Sequence, residues 1–270
     1  MKSITSIEST QNPRIKAALK LRKKSVRKER KKTLVEGFRE IQRATESGWI
    51  FDELYFCPEL FIHSESEKLL QKLQETALPL FHCSEAAFQK ISYRDTPDGF
   101  IALSPLVGEK LDDVTLPKNP LLLIAENLEK PGNLGTLLRT ADATGVDAVI
   151  VCGNKTDINN PNVIRASIGT LFFIPIIEAT ALETLKWLNE QHIESVATFP
   201  DATTHYTNIN LSNKGIAIVV GAEDQGLESI WNQQATHKVS IPMLGKNDSL
   251  NVATAAAILL YETIRQRNKL

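Results

Sequence analysis

Residues 121–152, LLLIAENLEKPGNLGTLLRTADATGVDAVIVC, spell out a strand, a turn, a helix and a second strand. LLLIAE (121–126) and DAVIVC (147–152) are nearly continuous apolar runs, the pattern of strands covered on both faces in a parallel sheet. Between them Pro131-Gly132-Asn133 makes a turn, Asn133 is placed to cap the helix, and Leu134, Leu137, Leu138 and Ala141 recur as its buried stripe. Thr136 and Arg139 fall on the other side, where a surface pair between Arg139 and Asp142 at i+3 is the ordinary expectation.

The same alternation continues outward. Towards the C-terminus come a helix from about Pro161, the strand FFIPI (172–176) and a helix near 181–191. IESVATF (193–199), GIAIVVG (215–221) and HKVSIP (237–242) follow as strands, and a long helix starts at about Ser249. Towards the N-terminus, TLVE (33–36), FDELYFC (51–57), LPLFHC (78–83) and GFIALS (99–104) alternate with helical segments in a smaller α/β unit. PLVGEKLDDVTLPKNP (105–120), with three prolines, reads as a linker. The expected organisation is a basic arm or helix over 1–32, a smaller α/β domain over 33–104, the linker, and a larger parallel-sheet domain over 121–270 with its ligand loops at the strand ends.

The chain has 270 residues and a formal net charge of −1, which conceals a strong asymmetry. Residues 14–43 hold thirteen Lys or Arg against Glu29, Glu36 and Glu40, a balance of +10, and residues 44–270 sum to −11. In KLRKKSVRKERKK (20–32) nine of thirteen residues are basic, a density that repels itself unless an anion lies near, and phosphate backbones are the usual partner. The run lacks the broad apolar face of a membrane-surface helix; a solvated charged helix is the plainer reading.

Several chemistries lose support. There is no G-x-S-x-G elbow, no phosphate loop and no H-E-x-x-H. GAEDQG (221–226) has the glycine spacing of a phosphate loop but Leu227 where lysine is required. Five histidines show no ligand spacing, so no metal is expected, and Cys57, Cys83 and Cys152 read as buried thiols. No stretch has the length of a membrane span and the first residues lack a signal-peptide core, so a cytoplasmic location is expected.

Two further segments carry information. GIAIVVGAEDQGLES (215–229) runs a buried strand into a glycine-bounded acidic loop, where Gly221 permits close backbone approach and the acids also suit the N-terminus of a helix starting near Leu227. VSIPMLGKNDSLNVATAAAILLYE (239–262) joins a strand to an Ala-rich helix that Ser249 is placed to cap.

Together NLEKPGNLGTLLRTADATG, VVGAEDQGLE and IPMLGKNDSLNVATAAA resemble, in order and spacing, the three signature motifs of the SpoU (TrmH) family of RNA ribose 2′-O-methyltransferases, within the SPOUT class. LVEGFREI (34–41) resembles the family's accessory domain, a ribosomal-protein-like RNA-binding fold. The resemblance implies an α/β fold whose C-terminal parallel-sheet domain carries a trefoil knot, one of the rare exceptions to unknotted topology. It also implies S-adenosyl-L-methionine as cofactor and a homodimer. Gly221, Ile241 and Leu250 match positions whose backbones surround the cofactor, and Thr198 ends a strand lining the same pocket. Asn133, Arg139, Glu223, Ser249 and Asn251 match the polar active-site set. GAEDQG departs from the commoner Gly-Ser-Glu-Gly wording without losing Glu223.

The implied reaction is methyl transfer to a ribose 2′-OH, which excludes DNA as substrate. Ribosomal RNA is favoured over transfer RNA by analogy with the accessory domain alone. The alternative from another class is an RNA-binding ribosome-assembly factor of the same fold without catalysis; the intact polar set argues against it.

Overall fold

Every described strand after residue 120 runs parallel to its neighbours. The computed structural model describes residues 4–153, 155–222 and 225–267. These residues divide into two units: one of the chain up to Val107 together with Asn159–Phe172, the other of Gly108–Ile158 and the described chain from Phe173 onward.

In the second unit β6 (Leu121–Glu126), β7 (Ala148–Cys152), β8 (Ile176–Ala179), β9 (Glu194–Thr198), β10 (Ile216–Gly221) and β11 (His237–Val239) form a sheet of order β11-β9-β10-β6-β7-β8. All its pairings are parallel, and β6 and β10 are matched from Leu121↔Ile216 to Glu126↔Gly221. Their side chains are buried almost without a break, as the apolar runs require. Trp187 of α8 (Ala181–Glu190) and Trp231 of α9 (Ser229–Gln234) join this core. α10 (Val252–Gln266) packs on β10 and on α6 (Pro131–Ala143), its alanines permitting close approach. Arg267 closes the end of the unit by donating to the carbonyls of Asn119, Pro120 and Lys214.

Local expectations differ from the structure at four places in this unit. α6 begins at Pro131, whose fixed φ suits a first helical position, so Asn133 lies inside the helix and does not cap it. α10 is capped by Asn251, whose Oδ1 accepts from the Ala253 N–H at 3.0 Å, and not by Ser249. β8 begins at Ile176; the expected FFIPI strand is displaced because Thr170–Phe172 form a 3₁₀ turn in the other unit. The segment expected as a free linker packs its Leu111, Val114 and Leu116 against the core, and the Glu109 N–H donates to the Ile176 carbonyl at 2.9 Å.

The first unit contains β1 (Thr5–Ile7), α1 (Pro13–Lys20), α2 (Lys24–Arg30), β2 (Lys32–Glu36), α3 (Phe38–Glu46), β3 (Glu53–Phe56), α4 (Ser66–Gln74), β4 (Leu80–Cys83), α5 (Glu85–Ile91) and β5 (Phe100–Pro105). The sheet order is β1-β4-β3-β5-β2, with β5 antiparallel to both neighbours. Of the expected basic arm or helix over 1–32, the described residues from Ile4 onward are part of this unit: Ile7, Ile15, Ala18 and Leu21 enter its core, and β1 pairs with β4. The basic run is divided by residues 21–23 into α1 and α2, and Arg27 is buried with its Nη1 on the Leu21 and Arg22 carbonyls. α7 (Pro161–Ala166), expected in the C-terminal domain, groups with this first unit, where the Thr33 hydroxyl donates to the Asn159 carbonyl at 2.7 Å.

Because Ile15 is fully buried, Ile15→Ala is expected to cost about 2–5 kcal/mol, whereas Lys16→Ala on the exposed face should stay within about 0.5 kcal/mol. Urea unfolding followed by circular dichroism measures both; equal, negligible effects would restore the loose arm.

Candidate functional site

In an open parallel sheet, ligands bind beyond the carboxyl ends of the strands where strand order reverses. Here β9, β10 and β11 end side by side, with Thr198 opposite Val239. A cavity of about 360 Å³ opens there, lined by Thr198, Phe199, Val220, Gly221, Gln225, Gly226, Ile241, Met243, Asp248, Ser249 and Leu250, with Val252 and Ala255 of α10. All four residues expected around a cofactor, Thr198, Gly221, Ile241 and Leu250, meet in it, and Ser249 joins them.

The reason for glycine at 221 is nearer home than a ligand. A Cβ there would stand 2.5 Å from both C and O of Gly226 and 2.8 Å from the Leu227 nitrogen. The Gly226 N–H donates to the Ala222 carbonyl at 2.9 Å, so the loop folds back directly over the end of β10.

That loop is held from below by Glu126, a residue the sequence reading left without a role. Glu126 ends β6 beside Gly221 and is fully buried. Its Oε2 accepts from the Glu228 N–H at 2.6 Å and its Oε1 from the Trp231 indole N–H at 2.8 Å. Burial raises its pKa; the two hydrogen bonds oppose the rise and the Glu228 charge adds to it. The available signal was a carboxylate closing an otherwise apolar buried strand, a position that requires partners. On the neighbouring loop Asn127 holds φ 52° and donates from Nδ2 to Glu228 Oε1 at 3.3 Å.

The polar set is only partly assembled in one chain. Asn251 Nδ2 donates to Asn133 Oδ1 at 3.3 Å, joining the start of α10 to the first turn of α6. Arg139 is exposed on α6, is not among the cavity-lining residues, and forms no pair with Asp142. Glu223 and Asp224 lie outside the described residues. Cys152 is a buried thiol pushed up to about 12 by desolvation and lies against the Thr184 hydroxyl at 3.3 Å. No group of three or more His, Cys, Asp or Glu suited to a metal ion occurs among the described residues.

Residues 120–261 match the SpoU rRNA Methylase family, and residues 12–102 match the MRM3-like substrate binding domain. The chain belongs to the SpoU rRNA methylase family. It is 31% identical over 255 residues, 94% of this chain and 97% of the relative, to the 23S rRNA (guanosine(2553)-2′-O)-methyltransferase RlmP of Bacillus subtilis. A solved RNA 2′-O ribose methyltransferase is 39% identical with a TM-score of 0.84, covering 98% of this chain and 100% of that one. An AdoMet-bound rRNA methyltransferase from Sinorhizobium meliloti is 27% identical with a TM-score of 0.88, covering 97% and 98%. This SpoU chain therefore has both the family's methylase unit and its substrate-binding unit in the order the motifs implied.

The raised pKa of Glu126 carries a sign. Between the unfolded and the raised folded pKa the native state binds the extra proton, so this group's contribution to stability is greatest below the unfolded value and declines as pH rises through the folded one. Glu126→Gln should flatten that decline while lowering stability overall, since one N–H donor then faces an amide NH₂; urea midpoints from pH 4 upward measure it. An unchanged pH profile would refute the assignment.

Proposed function

We propose that this chain transfers the methyl group of S-adenosyl-L-methionine to a ribose 2′-OH of ribosomal RNA. The observation that carries the reading is the convergence of Thr198, Gly221, Ile241, Ser249 and Leu250 on one cavity at the sheet's carboxyl end. Its size falls in the range of small-molecule sites, about 300–1,000 Å³, and its mixture of apolar walls with loop backbone suits an adenosyl group. Val220, Ile241, Leu250 and Val252 supply the apolar walls, and Gly221, Ala222, Gln225, Gly226, Asp248 and Ser249 complete the lining. When bound, the sulfonium provides an electrophilic methyl with a good leaving group attached.

The residues of the chain have the harder task, because a ribose 2′-OH is weakly acidic. It must be oriented and its developing negative charge stabilised. A guanidinium is not a general base in proteins, so Arg139 is not assigned proton removal. Its role in this reading is to bind the adjacent phosphate by its fork of donors and to stabilise the emerging alkoxide, with proton removal assisted by another group or water. Asn133 and Asn251, joined to each other, orient the ribose or brace the two motif loops.

A homodimer belongs to the same reading. Arg139 does not line its own chain's cavity, and α10 leaves Tyr261 44% exposed one turn beyond the half-buried Ile258, an apolar edge a second copy can cover. The trefoil knot, a cytoplasmic location and the choice of ribosomal over transfer RNA are likewise proposed; the named activity of the relatives supports the last. The cationic face of the first unit gives phosphate affinity that weakens steeply with salt.

Incubation with labelled S-adenosyl-L-methionine and ribosomal or transfer RNA from a strain lacking this gene is expected to yield a 2′-O-methylnucleoside in the ribosomal pool only. Arg139→Ala should abolish it and Arg139→Lys should reduce it, both with calorimetric cofactor binding retained. Full activity in Arg139→Lys would refute the fork role, and cofactor binding with no transfer to any RNA would favour the inactive assembly factor. Gly221→Ala, which forces Gly226 and Leu227 off the strand end, should weaken cofactor binding at least about tenfold, the equivalent of one lost hydrogen bond to a charged group; unchanged calorimetry would refute the part of Gly226 in the cavity.

A further inference from the structure

The first unit contains a cavity of about 490 Å³ that the methyl-transfer reading does not use. Its lining is of mixed charge: Arg39, Arg94 and Arg165 face Glu40, Asp95 and Asp98, with His63 and Thr96 beside them. The arginines are not equivalent. Arg94 is a structural fork, donating from Nη2 to Glu40 Oε1 at 3.0 Å and from Nη1 to Asp98 Oδ2 at 2.8 Å. Arg39 and Arg165 are exposed and pair with none of the described residues.

The carboxylates differ in the same way. Glu40 Oε2 is packed over Gly37, where a Cβ would lie 2.1 Å from it. Asp98 is 98% or more buried as a side chain, and its Oδ2 takes the Phe38 N–H and Arg94. Its Oδ1 has no hydrogen-bond partner. A buried carboxylate oxygen left in that state is costly and marks a place for a donor. The cavity wall also includes Ile168, a β-branched residue at φ 54°, whose carbonyl accepts from Arg43 Nη1 at 2.9 Å. Such strain gathers at ligand clamps.

We propose that this cavity binds one unstacked guanine nucleotide of the substrate RNA, with the base edge on Asp98 and the phosphate on Arg39 and Arg165. The inference rests on RNA being the substrate. Single-stranded RNA is read by splaying a base out and hydrogen-bonding its Watson–Crick edge. Guanine is selected because that edge carries two adjacent donors, N1–H and the 2-amino group, whereas the N–H donors of the other bases sit next to acceptors that an acid-lined floor repels. His63, stacked on Phe38 with centroids 4.6 Å apart, has its Nε2 3.8 Å from Asp98 Oδ2, and in the complex the base takes its place beside that carboxylate.

The test is titration of the full-length protein with guanosine, adenosine, cytidine and uridine 5′-monophosphates and with inorganic phosphate, S-adenosylhomocysteine being present throughout. Guanosine monophosphate is expected to bind at least about tenfold more tightly than the others, the worth of one charge-assisted hydrogen bond. Arg39→Gln and Arg165→Gln, both on the surface, should each weaken it about tenfold. Asp98→Asn should erase the base preference and leave phosphate binding; if that variant fails to fold, the two arginine variants decide. Equal binding of the four nucleotides and of phosphate, or arginine variants without effect, overturns the proposal. Methyl transfer by the same preparation separates the two readings: transfer to ribosomal RNA without guanine preference overturns the pocket alone. Guanine preference without transfer to any RNA supports the pocket and overturns the proposed reaction.

Discussion

Glu126 ends the central strand with both carboxylate oxygens engaged on the loop and helix that follow β10, and the shape of the cavity depends on that attachment. Burying a carboxylate is unfavourable unless its oxygens are hydrogen-bonded, and here two N–H donors meet it. One donor is the Glu228 backbone, which fixes the chain just after Gly226 and Leu227; the other is Trp231, which anchors that stretch to the core. With its end so tied, the loop is forced back over Gly221, where no side chain fits, and its backbone becomes a wall of the cavity. The parallel β6–β10 register brings Glu126 level with Gly221, so a single pairing determines both the floor and the fold-back.

Long-period patterns were legible in the sequence, and short-range chemistry less so. The apolar runs at 121–126, 148–152 and 216–221 could be read because strands buried on both faces need uninterrupted apolar residues. β1 was not, since three residues with only Ile7 turned inward carry no period and exist by pairing with a distant strand. The 105–120 segment looked like a linker because its prolines break every period, although its scattered Leu and Val residues still find the core. Of the site, Gly221 and Ser249 stood out in their loops and Thr198, Ile241 and Leu250 came from the family resemblance, yet their meeting is a property of strand order. Asn133 and Asn251 exchanged expected roles: proline at the first helical position made a cap at 133 unnecessary, and its side chain accepts from Asn251 instead.

The basic stretch shows why counting charges overstates a binding surface. Arg27 is buried on carbonyls, Arg14 pairs with Glu53 at 2.5 Å, Lys32 with Asp52 at 2.6 Å, and Arg22 donates to the Ser92 carbonyl. These four stabilise their own unit. Lys16, Lys20, Lys23, Lys28, Arg30 and Lys31 remain exposed on α1, α2 and the turns beside them, all on ordered backbone. A cationic face carried on folded helices is pre-organised, so phosphate binding there avoids the ordering entropy a loose arm would lose.

Arg139 lies six residues beyond Asn133, about 9 Å along α6. Asn133 is tied to Asn251, the residue next to cavity-lining Leu250, so the first turn of α6 stands at the cavity while Arg139 faces solvent. A guanidinium presents a planar fork of donors that matches phosphate geometry. A ribose held at the cavity has its phosphates to either side, so a cation displaced from the reacting atom is where a backbone clamp belongs. In the proposed reaction, with the clamp from the same chain or from a second copy, the division is the same: loops at the sheet end would hold the methyl donor, and a helix surface the RNA.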